Sequence, residues 1–227
     1  MTIAHALMAT LSGAPPAPTF LSAGTGGSEA PVSGTLQVPY PATVAANNFL
    51  LLHVVANDSG GPAITTPSGW TSFSARVSSD TLLSSALYWK LAAGTETGNL
   101  DVTVTADTVA AGRIYRFSSG SGVEAAGSAV TDASGTGMSA VNVTTLGSDR
   151  LAIQCFFAKV NTTIGNISGE TNADYTEAVA EYASATGPVI FSCQAAAVAS
   201  ATAITGGSAT LASAGTYRVR HGFAIKP

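Results

Sequence analysis

The chain has few charged residues. Of its 227 residues, 10% are Asp, Glu, Lys or Arg, whereas about a quarter is usual for a globular protein. The nine basic residues are spread along a chain of net charge −4, which excludes the concentrated positive patch that binds nucleic acid. Surfaces with so little charge tend to associate. The composition therefore favours a protein that works within an assembly.

The sequence also lacks a long hydrophobic run. No stretch approaches the roughly 20 apolar residues of a membrane-spanning helix. Residues 1–11 contain no Lys or Arg, whereas a secretory signal begins with positive charge. We therefore expect synthesis in the cytoplasm of the producing cell and no membrane partner.

Cysteine is almost absent. Cys155 and Cys193 are the only two, and each lies within an apolar segment. A disulfide between neighbouring strands is one interpretation. Two buried, reduced thiols are the favoured one, because disulfides are rare in the cytoplasm and a free cysteine behaves as a small hydrophobic residue.

Catalytic and metal-binding motifs are missing as well. The histidines His5, His53 and His221 are far apart and have no metal-ligand spacing, so His53 and His221 are interpreted as core residues with hydrogen-bond partners. The glycine-rich residues 24–27 precede no helix and are interpreted as a turn. We predict no enzymatic activity, no metal and no cofactor.

Acidic residues in turns raise the question of calcium, which binds to loop carboxylates and carbonyls. Their spacing is not that of a ligand set, and solvated turn residues are the favoured interpretation, as they are over a carboxylate pair for hydrolysis. The acidic residues considered are Asp58, Asp80, Asp101, Asp107, Glu170, Asp174 and Glu177.

The most prominent feature of the sequence is a pair of apolar runs, residues 49–56 and 151–158. Apolar runs of this length between turn residues are typical of strands buried on both faces. Turn signals recur every 8–12 residues along the chain, and no segment has the pattern of an amphipathic helix. The sequence predicts an all-β protein, an antiparallel β-sandwich of jelly-roll-like character.

The two runs belong to a longer repeat. Leu151 lies 102 residues after Phe49, Tyr175 lies 105 after Trp70, and Gly215 lies 103 after Gly112. Such constant spacing predicts two pseudo-repeats, at about 30–118 and 138–227. They form either two small sandwiches in series or one sandwich paired about a pseudo-two-fold axis. We prefer a single domain over 25–227, because one repeat offers few apolar positions for a core of its own.

Residues 1–24 precede this domain. The segment Pro15-Pro16-Ala17-Pro18 and the absence of periodicity predict an extended arm. We expect the arm to bind a neighbouring subunit through its apolar residues. Deletion of residues 1–24 should then leave a folded protein that no longer binds this neighbour. The candidate interface residues are Ile3, Leu7, Leu11, Pro15, Pro16 and Phe20.

Two further side-chain sets have alternative interpretations. Four arginines in matching strands of the two halves are candidates for ion pairs between subunits, although a solvated face is the ordinary alternative. They are Arg113, Arg116, Arg218 and Arg220. Four aromatic residues could form a platform for sugars, but core positions at the sandwich ends are favoured. They are Trp70, Trp89, Tyr88 and Tyr115.

Three motifs carry a family resemblance. They are Pro67-Ser68-Gly69-Trp70-Thr71, Ala86-Leu87-Tyr88-Trp89-Lys90 and Ala93-Gly94-Thr95-Glu96. With them, most of residues 30–227 resembles a group of uncharacterised bacteriophage virion proteins. The resemblance implies a jelly-roll-like sandwich, a structural role in the virion and trimeric assembly, and it carries over no catalytic residues. The second half departs from the pattern, with Tyr175 in place of the tryptophan.

From this resemblance we expect a decoration protein on the surface of the phage head, which binds the major capsid protein and its own copies between capsomers. Many weak contacts repeated by symmetry would stabilise the shell. The alternative is a tail or head fibre, or a spike module, that adheres to host surface glycans. A polysaccharide-degrading enzyme is a third hypothesis, which needs a carboxylate pair that the sequence does not offer.

Overall fold

The structure is a computed structural model that describes residues 15–29, 33–58, 60–77, 82–106, 108–124, 127, 129–132, 134–160, 164–165, 167–171, 175–183 and 190–227. This part of the chain forms eighteen strands and no helix. All pairings between the strands are antiparallel, and the predicted all-β, sandwich-like class is confirmed.

The first half of the chain contributes one large sheet and one small one. Its strands are β1 (Phe20–Ala23), β2 (Gly27–Glu29), β3 (Thr35–Pro39), β4 (Phe49–Asn57), β5 (Thr71–Val77), β6 (Leu83–Leu91), β7 (Asn99–Thr103) and β8 (Val109–Phe117). The large sheet has the order β1-β8-β4-β6-β5, with β2 also paired to β8. Strands β3 and β7 pair as the small sheet.

The second half repeats this plan. Its strands are β9 (Gly122–Glu124), β10 (Val130–Asp132), β11 (Gly135–Ser139), β12 (Val143–Thr144), β13 (Arg150–Ala158), β14 (Ser168–Thr171), β15 (Thr176–Ala183), β16 (Ile190–Val198), β17 (Ala203–Gly215) and β18 (Arg218–Lys226). The large sheet runs β10-β18-β13-β16-β15, with β9 on β18, and the small sheet runs β11-β17-β12, with β14 on β17. The two halves therefore have the same strand order, although β1 and β2 begin before residue 30 and β9 and β10 before residue 138, outside the predicted bounds of the repeats.

The central strand of each large sheet is buried on both faces, as predicted. In β4, Leu50, Leu52 and Val54 face the small sheet of their own half, whereas Phe49 and Leu51 face the other half. Strand β13 alternates in the same way between the two sides. Because adjacent residues of a strand point to opposite faces, an uninterrupted apolar run is what a strand between two cores requires.

The described residues consequently form three cores between four layers. One core lies between the large and small sheets of the first half and includes Leu36, Trp70 and Val102. A second occupies the same place in the second half and includes Phe156 and Leu211. The third lies between the two large sheets.

The expectation that one repeat is too poor in apolar residues for its own core is therefore wrong. Each half encloses a core, and the halves also share one. The halves pair through the shared core, as in the preferred arrangement, but a separate core in each half was not expected. One of the three spacings that predicted the repeat was also wrong. Gly215 lies at the end of β17, whereas Gly112 lies in β8, and these two strands do not correspond in the two halves.

The described part of the predicted arm is mostly built into the first sheet. Strand β1 pairs with the end of β8, and the ring of Phe20 packs edge-on against Phe117 at 5.8 Å between centroids. The extended arm therefore ends before Phe20, and deletion of residues 1–24 would remove a strand. Pro15 and Pro16 are exposed, while Ile3, Leu7 and Leu11 lie outside the described residues.

Candidate functional site

The three motifs behind the family resemblance meet in one cluster at the end of the first half. Trp70 is buried in the core beneath the small sheet. The Lys90 ammonium lies 5.9 Å from the centroid of the Trp70 ring and forms an ion pair of 2.7 Å with Glu96. Glu96 also accepts hydrogen bonds of 2.9 Å from the backbone N–H groups of Ala93 and Gly94.

This cluster holds a turn in place. Burial opposes the charge on Glu96, but the hydrogen bonds from Lys90 and from the Ala93 N–H outweigh it and lower the pKa of the carboxyl to about 2. Gly94 adopts φ +83°, and a Cβ there would lie 2.8 Å from the Ala46 nitrogen. The Glu96 carboxylate is paired with Lys90 and with two backbone N–H groups, so the motifs define a structural element.

The second half uses a different solution at the position of Trp70. Tyr175 is buried in the corresponding core, and its hydroxyl accepts a hydrogen bond of 3.0 Å from Gln154. Gln154 also accepts from the Val141 N–H at 3.0 Å and donates to the Val141 carbonyl at 2.7 Å. A tyrosine can replace the tryptophan because a buried amide satisfies its hydroxyl.

The candidate arginines on β8 bind backbone of their own half. The Arg113 Nε donates to the Gly24 carbonyl at 2.8 Å, and Arg116 donates to the Thr43 carbonyl. Both side chains are half-buried. These contacts connect β8 to the β1–β2 link and to the loop before β4.

The candidate arginines on β18 do not lie on a solvent-facing surface, contrary to expectation. Arg218 and Arg220 are only 6% and 7% exposed. Arg218 donates to the Gly137 carbonyl, and Arg220 donates to the Ser139 carbonyl and pairs with Asp132 at 2.8 Å. They connect the large sheet to β11, so their contacts lie within the chain. A role for any of the four arginines between subunits stays a prediction.

The histidines of the apolar strands lie in the shared core. His221 has Ser74 Oγ 2.7 Å from its Nδ1 and Ser85 Oγ 2.9 Å from its Nε2. In either tautomer one hydroxyl donates to the bare ring nitrogen and the other accepts from the ring N–H, so His221 is the hydrogen-bonded core residue that we expected. Burial, reinforced by the nearby His221, lowers the pKa of His53 well below its usual value.

Both cysteines are free and fully buried in the shared core, as the favoured interpretation had it. Cys155 and Cys193 oppose each other across β13 and β16. Burial, together with the adjacent Cys193, raises the pKa of the Cys155 thiol well above its usual value. A thiol of this kind is a poor nucleophile, because the reactive form is the thiolate.

The aromatic residues divide between core and surface. Trp70, Tyr88 and Tyr115 are at most 6% exposed, so the core interpretation is confirmed for these three. Trp89 is half-buried, with its ring stacked on Phe49 at 5.4 Å between centroids. Trp89 is thus the one member of the set with a ring that reaches the surface.

The acidic residues do not assemble into a metal site in the part of the chain that the structure describes. No three His, Cys, Asp or Glu side chains come together there in a way that could hold a metal ion. Glu170 accepts a hydrogen bond of 3.0 Å from the Tyr175 N–H. Asp80, Asp107 and Asp174 lie outside the described residues.

Two clefts on the surface of the described residues have the size of a ligand site. The larger, about 520 Å³, lies between residues 61–64 and strands β5 and β6, and Ser84 and Ser85 are the polar residues of its lining. The smaller, about 300 Å³, lies where the two large sheets meet. We call it the seam cleft, and its lining residues are Phe73, Trp89, Ser121, Gly122, Val123, Glu124 and Lys226. The sequence did not predict it, because Phe73 and Lys226 are far apart along the chain.

Among the described residues, the outer sheet of the second half presents a face whose exposed side chains carry no charge, and Glu170 of β14 is a partly exposed charged residue of the same sheet. The exposed residues of β11, β12, β14 and β17 form what we call the β17 face. They are Thr136, Gly137, Ser139, Thr144, Ser168, Gly169, Thr171, Gly206, Ser208, Thr210, Ala212, Ser213 and Ala214. In the corresponding sheet of the first half, Asn99, Gln37 and Asp101 form a hydrogen-bonded polar ladder. The two outer sheets therefore differ in surface chemistry.

Comparison of the chain with protein-family models, with curated proteins and with solved structures gives no match. The part of the chain that the structure describes holds no helix of the length and apolarity that a membrane crossing requires. The class that the fold defines is an all-β, antiparallel sandwich with a duplicated plan.

Proposed function

We propose that the protein is a bacteriophage virion structural protein, a decoration protein that binds the major capsid protein between capsomers and stabilises the head. The resemblance of residues 67–71, 86–90 and 93–96 to virion proteins motivates the proposal. In this proposal the protein acts without catalysis or cofactor, as a homotrimer on the head surface.

The β17 face is the observation that carries the proposal. Its exposed residues are all Ser, Thr, Gly or Ala, so covering it requires no charge to lose its hydration, which is costly. Strand β17 lies between β11 and β12 in this sheet, so the face spans several hydrogen-bonded strands.

The experiment is a binding assay with purified shells that lack this protein. Ser208 lies at the centre of the β17 face, opposite both Ser139 and Ser168. We expect Ser208→Lys to lower shell occupancy at least about tenfold, because a buried unpaired charge costs more than the 1.4 kcal/mol that a tenfold change requires.

Thr103→Lys is the matched control, since Thr103 is exposed on β7 in the outer sheet of the first half. It should bind shells as the wild type does. Undiminished decoration by Ser208→Lys, or equal loss in both variants, would contradict the docking of the β17 face. Failure of the wild type to bind shells would contradict the proposal as a whole.

A fibre or spike module that adheres to host glycans is the second candidate function. The observation that favours it is the seam cleft, where the half-exposed ring of Trp89 stands beside charged side chains.

A further inference from the structure

We propose that the seam cleft binds an acidic sugar, a single saccharide unit that carries a carboxylate. The cleft takes its walls from both halves of the molecule. Phe73 and Trp89 come from β5 and β6, while Val123, Glu124 and Lys226 come from β9 and β18. It exists only because the two large sheets pack together.

The aromatic wall is held in position before any ligand arrives. Phe49 covers one face of the Trp89 indole, with the two rings 7° from parallel. Phe73 packs edge-on against Phe223 at 4.8 Å between centroids. Both rings are half-buried, so each is anchored in the shared core and still borders the cleft. Fixed aromatic rings bind a ligand without a large loss of side-chain entropy.

A fixed carboxylate stands on the other side. Glu124 binds Arg150 through two hydrogen bonds, Nε to Oε1 at 2.8 Å and Nη2 to Oε2 at 3.3 Å. The Leu146 N–H donates to Oε1 at 3.1 Å. The hydrogen bond from Arg150, together with that from Leu146, lowers the pKa of Glu124. The carboxylate is therefore ionised and oriented, and its remaining lone pairs are suited to accept from sugar hydroxyls.

The positive charge of the Lys226 ammonium favours a ligand that carries a carboxylate. A Cβ built on Gly122 would lie 3.6 Å from the Lys226 Nζ and 3.7 Å from the Trp89 Cη2, so the ammonium and the indole edge both lie close to this glycine. The ion pairs between described residues join Lys90 to Glu96, Arg150 to Glu124 and Arg220 to Asp132. Glu124 therefore has two cations near it, Arg150 and Lys226, so these three groups together carry an excess of one positive charge.

The size of the cleft limits the ligand. A volume of about 300 Å³ is at the lower end of ligand pockets, roughly 300–1,000 Å³, so the cleft has room for one ring-sized unit. Aromatic rings, a carboxylate acceptor, the Ser121 hydroxyl and an ammonium group together match a sugar ring with hydroxyls and one negative charge. The described residues that line the larger cleft are Gly, Pro, Ala, Ile and Ser, and none of these carries a charge to orient such a ligand.

The test is titration of the full chain with D-glucuronate and with D-glucose, followed by ligand-observed NMR and calorimetry at low ionic strength. We expect the wild type to prefer glucuronate. Lys226→Gln should weaken glucuronate binding about tenfold, the effect of losing one charge-assisted contact, and leave glucose binding unchanged. Trp89→Phe should weaken the binding of both sugars, since it reduces the aromatic surface.

Lys159→Gln is the matched control, because Lys159 lies against Tyr217, 5.4 Å from its ring centroid, and does not line the cleft. It should bind glucuronate as the wild type does. Absence of glucuronate binding, equal affinity for the two sugars, or equal losses in Lys226→Gln and Lys159→Gln would overturn the proposal. The assay uses no capsid, so its failure would leave the decoration role untouched.

Discussion

At the scale of single residues, the side chains that look most like a recognition motif stabilise a turn. Trp70 forms core, Lys90 lies between the indole and Glu96, and Glu96 holds two backbone N–H groups. Polar residues with this many internal partners have little capacity left for a ligand. The motifs that carry the resemblance in this region therefore stabilise the fold of the sandwich.

The Glu96 cluster predicts a dependence of stability on pH. The pKa of Glu96 is lowered from 4.5 to about 2, so the folded state binds a proton less readily than the unfolded state. The resulting stabilisation is complete above pH 4.5 and is lost as the pH falls toward 2. Glu96→Gln should lower the free energy of unfolding by about 1–3 kcal/mol at pH 7, as measured by denaturant unfolding.

The difference between wild type and Glu96→Gln should shrink as the pH is lowered from 4.5 toward 2. Asp101→Asn, on an exposed position of β7, is the control and should have a small effect across this range. A difference that stays constant with pH would show that Glu96 acts through packing and not through its charge.

Residue environments were predictable from the sequence only where hydrophobicity decides them. Trp70, just before β5, and Tyr88, in β6, are core because large apolar rings tend to be buried. The burial of Arg218 and Arg220 was not predictable, because it depends on carbonyl groups of β11 that lie about 80 residues earlier in the chain. Charge alone indicates a solvent-facing position, and only the register of distant strands reveals the partners.

At the scale of elements, the strands beside β8 depend on close backbone approach. Strand β2 pairs with β8 and also lies against β3. A Cβ on Gly27 would lie 1.9 Å from the Gln37 carbonyl oxygen, and one on Gly24 would lie 2.2 Å from that of Pro39. Glycine is required here because the backbones nearly touch. The segment from Phe20 to Glu29 thus closes one side of the first half.

Gly27→Ala tests this closure. The methyl group would collide with backbone that cannot rotate away, so we expect the free energy of unfolding to fall by at least about 2 kcal/mol. Gly137→Ala is the matched control, since Gly137 also lies in a strand but a Cβ there has no neighbour within 4 Å. Denaturant unfolding of both variants gives the comparison. Equal stability of the two variants would contradict the close approach of β2 and β3.

The elements themselves were largely predictable, and their limits were not. Uninterrupted apolar runs identified β4 and β13. The inclusion of residues 20–23 in β1 was missed, because the nearby prolines indicate an extended arm and a short strand at a sheet edge has almost no periodicity of its own.

At the scale of the whole molecule, duplication explains the layer order. Each half places its small sheet outside and its large sheet inside, so the two large sheets cover each other. Strand β1 lies against β15, and β5 lies against β10 and β18, at opposite edges of the shared core. Two equivalent sheet edges related in this way are what a pseudo-two-fold arrangement produces.

The repeat was predictable from spacing, but the number of cores was not. Apolar runs reveal that a strand is buried on both faces without revealing what covers each face. Alternation along β4 assigns Leu50 and Leu51 to different cores only once the partner sheets are known. The seam cleft and the β17 face arise from that packing, which is why neither was evident from the sequence.

The proposed role makes the two outer sheets unequal. The β17 face would lie against the shell, and the polar ladder of β3 and β7 would face solvent. In this orientation the exposed residues of the interface carry no charge. Asp101, in the outer sheet of the first half, stays in water, so its carboxylate keeps its hydration.

The most direct test of the central claim is the number of copies of this chain in each purified particle, measured by quantitative mass spectrometry against the major capsid protein. The decoration role predicts a number comparable with that of the capsid protein, because a protein that binds between capsomers is repeated by the symmetry of the shell. A handful of copies per particle would contradict it, and would place the protein in the tail or at a single vertex.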